Sequence, residues 1–182
     1  MIEAGLPPGI LNVVNGDKEA ADAILDDPDI KAVGFVGSTP VAQYIYARGA
    51  AAGKRVQCFG GAKNHMIIMP DADLSQAVDA LVGAGYGSAG ERCMAVSVAV
   101  PVGEAAAQEL MTRLMPRVEN LKIGPSTDEE ANYGPLVTKA HLDKVRAYVD
   151  LGVKEGAKST GATSSSRAMR TAFIWAVAYL TQ

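Results

Sequence analysis

An α/β fold, with a largely parallel sheet covered by helices, is predicted by two features of the first half of the chain. Short apolar runs alternate with longer amphipathic ones, the βα alternation of parallel-sheet proteins. Two of the short runs, Ile10-Leu11-Asn12-Val13-Val14 and Ala32-Val33-Gly34-Phe35-Val36, are nearly continuous in apolar character, as strands buried on both faces should be.

In order, a strand at residues 10–14 precedes a helix at 18–25, and a strand at 32–36 precedes a helix at 41–52. Strands at 56–59 and 66–69 then lead into a helix at 74–86. Asp17 and Asp73 stand where helix N-caps are needed. Val96-Ser97-Val98-Ala99-Val100-Pro101-Val102 reads as a strand. The helix at 105–119 that follows carries Leu110, Leu114 and Val118 at i, i+4, i+8 on one apolar face. Residues 123–135 are turn-rich, and a last helix at 139–152 places Leu142, Val145 and Val149 on one side. From Ser164 the character changes to a compact apolar tail at 164–182, and no internal repeat is visible.

The 182 residues, 48% of them hydrophobic, suffice for a domain with a real core. A net charge of −3 and a pI near 5.4, with no Lys/Arg cluster, exclude a nucleic-acid backbone as partner. Cys58 and Cys93 are too few for a disulfide framework and lack metal-ligand spacing with His65 or His141, which favours a reducing compartment and no metal. The N-terminus has no basic flank before an apolar run, so it is not read as a signal peptide. The apolar stretch at 172–180 is short of the roughly 20 residues that span a bilayer. His65 heads an apolar run and is read as structural; His141, on a charged helix face, is read as solvated.

Three stretches carry candidate chemistry. In Gly87-Ser88-Ala89-Gly90-Glu91-Arg92-Cys93-Met94-Ala95, small residues allow a tight turn and close approach of a substrate to the backbone. Arg92 is a fixed cation that favours thiolate over thiol, and a thiolate there could attack a carbonyl carbon while the Cys93 amide faces the developing oxyanion. Against this stands the commoner fate of a free cysteine, a small core residue. In Phe35-Val36-Gly37-Ser38-Thr39-Pro40-Val41, a strand ends in Gly and Ser at the mouth of a helix, where free amides attract phosphate. An ordinary corner capped by Ser38 or Thr39 fits as well, and the glycines of a GxGxxG fingerprint are absent. In Phe59-Gly60-Gly61-Ala62-Lys63-Asn64-His65, the glycines either admit a ligand or simply connect two strands.

Taken together, GLPPGILNVVNG, FVGST, PDADLSQAV and GERC resemble, in order and spacing, the NAD(P)-dependent aldehyde dehydrogenases. AKNH before PDADL, and GSAGERCMA, resemble the CoA-acylating methylmalonate-semialdehyde branch of that family. The resemblance runs from residue 5 to about 158 and implies a partial aldehyde-dehydrogenase fold, a Rossmann-like cofactor half joined to the start of an α/β catalytic domain. Residues 1–62 would be the C-terminal part of the NAD-binding domain, 63–163 the start of the catalytic domain, and 164–182 a divergent tail, either an alternative or frameshifted end or a cover for an exposed face.

The resemblance implies that Cys93 is the nucleophile, adding to the aldehyde and holding the acyl group as a thioester. It implies that Gly37, Ser38 and Thr39 bind the pyrophosphate of NAD, that Gly60 lies beside the nicotinamide, and that Gly16 lies on the adenosine side. Phe59 matches the position where hydrolytic members carry a glutamate that activates water. Phenylalanine cannot take a proton, so CoA is the implied acyl acceptor. Arg92 gains a second possible task, pairing with a semialdehyde carboxylate, beside a purely structural one. The implied substrate is methylmalonate or malonate semialdehyde, oxidised with loss of carbon dioxide to an acyl-CoA in a cytoplasmic enzyme that is homo-oligomeric at full length. The family's upstream lysine and asparagine and its later nicotinamide-ribose glutamate have no counterpart here, so the resemblance also implies an internal fragment, with uncovered edges and apolar faces and a non-catalytic remnant as the rival reading.

Overall fold

The computed structural model describes residues 1–158, and the predicted tail at 164–182 lies outside the described residues. Two compact units are present, Met1–Gly61 and a second beginning at Ala62. The fold is α/β, with parallel pairing as the sequence predicts. Instead of one sheet there are two, each of two strands among the described residues.

In the first unit, α1 (Lys18–Asp26) is capped by Asp17, whose carboxylate accepts from the Lys18 amide at 2.7 Å. Strand β1 (Ala32–Val36), helix α2 (Thr39–Ala51) and strand β2 (Arg55–Phe59) form a βαβ unit with Phe35 opposite Cys58 and Val36 opposite Phe59. Leu25 of α1 and Ala42 and Ile45 of α2 are its buried apolar side chains. Lys54, nearly buried, donates to the carbonyls of Asp27 and Ile30 (2.5 and 2.6 Å) and ties the α1–β1 connection to the start of β2.

Residues 10–14 are not a strand. Ile10, Leu11, Val13 and Val14 are exposed, and no β-ladder among the described residues receives them. A strand needs neighbouring amides and carbonyls, which apolar character does not supply. For the same reason β1, with one neighbour, has no fully buried residue and is not the doubly covered strand expected.

A polar cluster joins α1 to α2. Arg48 grips Asp26 through Nε and Nη2 (2.9 and 2.5 Å), Lys18 donates to Asp22 at 2.6 Å, and the Tyr44 hydroxyl donates to Asp22 at 2.6 Å. Hydrogen bonds from Lys18 and Tyr44 hold the Asp22 carboxyl below the usual carboxylate range, and the bond from Arg48 does the same for Asp26. Groups with depressed folded-state pKa contribute stability that is fully present above the unfolded value and lost as pH falls through the folded one. The thermal midpoint is therefore expected to drop on acidification through the carboxylate range, and Arg48→Met is expected to flatten that drop in a melting series against pH. An unchanged acid limb in Arg48→Met would show that the cluster is solvated ornament.

In the second unit, β3 (Asn64–Ile68) pairs in parallel with β4 (Val96–Pro101), with a register shift between Asn64 and His65. Helix α3 (Leu74–Leu81) is capped by Asp73, which accepts from the amides of Ser75 and Gln76 at 2.9 and 3.2 Å. The helix predicted at 74–86 is α-helical only to Leu81. It continues as a π-helical turn, Val82–Tyr86, and a 3₁₀ turn, Gly87–Gly90. Glycines 83, 85 and 87 weaken α-helical continuation there. Helix α4 (Glu104–Glu119) lays Leu110 and Leu114 onto Ile68 and Ala99 of the sheet and onto Ala77, Val78 and Leu81 of α3. Helix α5 (Lys139–Lys154) is capped by Thr138, whose hydroxyl accepts from the His141 amide at 3.2 Å.

Candidate active site

In the first unit the candidate cofactor residues gather where β1 gives way to α2. The Gly37 amide donates to the Phe59 carbonyl at 3.1 Å, carrying the β1–β2 pairing one residue past the strand. Ser38 takes the N-cap position with extended backbone, but its hydroxyl caps nothing, contrary to the ordinary-corner alternative. Thr39 does not cap either; its hydroxyl accepts from the Gly61 amide at 3.1 Å. A Cβ on Gly60 would sit 2.8 Å from that hydroxyl, so only glycine lets the β2 exit approach α2 this closely. Thus Gly37, Ser38, Thr39 and Gly60 form one corner. Gly16 lies elsewhere, against Ala20 at the start of α1, with no hydrogen bond to that corner among the described residues.

The corner suits an anion. Pro40 has no N–H, and the Thr39 and Val41 amides meet no acceptor among the described residues, so a 13-residue helix presents free donors beside an uncommitted serine hydroxyl. Phe59 ends β2 with its side chain 55% exposed.

In the second unit, the chain reaches Cys93 through Ser88, Ala89 and Gly90, all left-handed at φ 54°, 55° and 75°. Two of these carry a Cβ, a conformation costing roughly 1–2 kcal/mol per residue. The small residues thus make the tight turn expected of them. Cys93 is exposed, not a core cysteine, and its amide has no acceptor among the described residues. The Arg92 guanidinium folds back over Gly87, whose added Cβ would meet Arg92 Cζ at 3.2 Å, and it makes no ion pair or hydrogen bond among the described residues.

Two contacts here were not foreseen. Asn64 donates through Nδ2 to the carbonyls of Cys93 and Ala95, each at 2.9 Å. His141 is not simply solvated: its Nε2 bonds the carboxylate of Glu91. Both partners lie 29 to 50 positions apart in sequence, so no local pattern announces them. The ring Nδ1 of His65, on the exposed side of β3, bonds the Lys63 carbonyl at 2.9 Å.

The exposure difference between the thiols has a direct consequence. Cys58 is half-buried in β2, so Cys93 is expected to be alkylated at least about tenfold faster by iodoacetamide near neutral pH, read by peptide mapping after brief exposure. Equal labelling would contradict an accessible Cys93.

Fold and site together define an α/β protein of parallel strand pairs, one closing on an open helix N-terminus and the other preceded by a loop that presents a thiol. The chain belongs to the aldehyde dehydrogenase family, whose model matches residues 1–177, a longer span than the motifs at residues 5–158. It is 60% identical over 156 residues to a malonate-semialdehyde dehydrogenase of Pseudomonas aeruginosa, covering 86% of this chain and 31% of that one. A structure from Sinorhizobium meliloti 1021, complexed with NAD and described as a methylmalonate-semialdehyde dehydrogenase, is 62% identical with a TM-score of 0.77, covering 95% of this chain and 36% of that one. The methylmalonate-semialdehyde dehydrogenase of Oceanimonas doudoroffii is 50% identical with a TM-score of 0.80, at the same coverage. The chain spans about a third of the length of these relatives. The fold is accordingly a partial aldehyde-dehydrogenase fold. Among the described residues no helix is long and apolar enough to cross a membrane.

Proposed function

We propose that this chain carries the nucleophile and part of the NAD surface of a CoA-acylating methylmalonate- or malonate-semialdehyde dehydrogenase. The observation that carries the reading is the Cys93 loop, an exposed thiol beside its own uncommitted amide. Met1–Gly61 is the C-terminal part of the cofactor domain and the unit from Ala62 begins the catalytic one. Gly37, Ser38 and Thr39 would line the pyrophosphate of NAD, with the uncommitted Thr39 amide and Ser38 hydroxyl donating to it, Gly60 would border the nicotinamide, and Gly16 would lie on the adenosine side. When bound, NAD supplies the hydride acceptor.

Cys93 Sγ adds to the aldehyde carbon, and the oxygen that gains charge is met by the Cys93 N–H. Loss of hydride from the carbon leaves an acyl thioester on Cys93. Arg92, free of any protein carboxylate among the described residues, pairs with the carboxylate of the semialdehyde; when that group departs as carbon dioxide, the electron pair passes to the thioester enolate and the α-carbon takes a proton from solvent. Phe59, at the place where hydrolytic relatives have a glutamate, leaves water without a general base. The thiol of CoA attacks the thioester carbon instead, and Cys93 leaves as thiolate. The full-length protein is read as a cytoplasmic homo-oligomer.

A non-catalytic role is the second reading, favoured by the exposed apolar residues 10–14, which no β-ladder among the described residues receives. Calorimetric titration with NAD, followed by mass spectrometry of products formed from malonate semialdehyde with and without CoA, separates the two. NAD binding with CoA-dependent NADH formation and an acyl-CoA product is expected. No binding even at about millimolar cofactor would favour the non-catalytic reading, and free acid formed equally with and without CoA would sink the acylating one.

A further inference from the structure

The loop that presents Cys93 is held from outside at two points. Asn64, the first residue of β3, spends both hydrogens of one amide on it, clasping the chain on either side of Met94 through the carbonyls of Cys93 and Ala95. It does so where the β3–β4 ladder shifts register, so the clasp stands at the step between loop and strand. On the other side of the thiol, His141 from the first turn of α5 donates to the Glu91 carboxylate. Between these holds lie only Arg92 and Cys93, preceded by the left-handed run Ser88, Ala89 and Gly90. A strained segment persists only where its surroundings over-determine it, and the bonds from Asn64 and His141 are side-chain restraints of that kind from outside the loop.

We infer that Asn64 and His141 are positioning residues for Cys93. Asn64 fixes the peptide that follows the thiol, and His141, through Glu91, fixes the segment that precedes it. The inference rests on the reading of Cys93 as nucleophile, but its chemistry is separable from turnover. Neither side chain hydrogen-bonds the reacting sulfur among the described residues; each acts by limiting the conformations from which Sγ and the Cys93 N–H face outward together. Asp in place of Asn64 keeps the shape and replaces the N–H donors with an oxygen that meets two carbonyl oxygens. Phe in place of His141 keeps a planar ring and removes the donor, whereas Gln restores one.

The test is the ratio of Cys93 to Cys58 labelling by iodoacetamide on the full chain, with the urea-unfolded chain as reference and thermal unfolding followed alongside. Asn64→Asp and His141→Phe are each expected to lower the native ratio at least about threefold toward the unfolded value, and His141→Gln to recover most of it. Asn64→Ser, which keeps one donor, should fall between, and it serves if Asn64→Asp does not fold. A ratio unchanged within about twofold in folded variants, a ratio that rises, or no recovery by His141→Gln would overturn the inference. Failure of the dehydrogenase reading would appear instead as absent NAD binding, with these ratios still ordered as expected.

Discussion

Cys93→Ser is expected, on the proposed mechanism, to abolish semialdehyde-dependent NADH formation, with a loss of at least about a thousandfold, because removing the nucleophile of a covalent mechanism typically costs that much or more. A hydroxyl is a far weaker nucleophile than a thiolate at neutral pH, and no side chain hydrogen-bonds Cys93 Sγ among the described residues to activate it. Intact-mass measurement makes the result specific. Wild type incubated with semialdehyde and NAD, without CoA, should accumulate an acyl adduct that maps to Cys93, and Cys93→Ser should show none. An adduct on Cys58, or one that survives the substitution, would remove Cys93 from the mechanism. Cys93→Ser should leave the melting curve close to wild type, since the side chain is exposed and supports no packing.

The largest stability effect is expected from Leu114→Ala. Leu114 is fully buried on α4, in the cluster formed with Ile68, Val78, Leu81, Ala99 and Leu110. Truncation loses the transfer free energy of the removed carbons and leaves a cavity that rigid neighbours from one sheet and two helices fill only partly, for a cost of roughly 2–5 kcal/mol. Against a typical total of about 5–15 kcal/mol this is a large fraction, and the urea midpoint should fall with little change in slope. A shift worth less than about 1 kcal/mol would show that the second unit does not depend on this cluster. Leu151→Ala, on the exposed side of α5, is the matched control and should move the midpoint little.

Much of this architecture was legible because each signal was local. Leu110, Leu114 and Val118 at helical spacing predicted the buried face of α4, and the cap residues Asp17 and Asp73 marked helix starts whose amides they do accept from. The alternation of strand and helix predicted parallel pairing. It could not assign residues 10–14 correctly, because a strand is completed by its neighbours and an apolar run does not say whether one stands alongside. It also could not see the α-helix give way to a π-helical turn at Val82, where several glycines remove the side chains that would have favoured regular geometry.

The candidate site divides along the same line. Residue identity by itself determined the chemistry available: a thiol after a small-residue turn, glycine and serine at a helix mouth, and a phenylalanine that cannot act as base. Only the tertiary structure decided how these groups are held. It placed the Thr39 hydroxyl against Gly60 and Gly61, leaving Ser38 and two helix amides uncommitted, and it brought Asn64 and His141 to the loop that carries Cys93. The hydrogen bonds among those contacts join residues 22 to 50 positions apart. Hydrogen bonds of that span are set by how strands and helices pack, and packing depends on the summed burial of many side chains, so no short stretch of sequence encodes them.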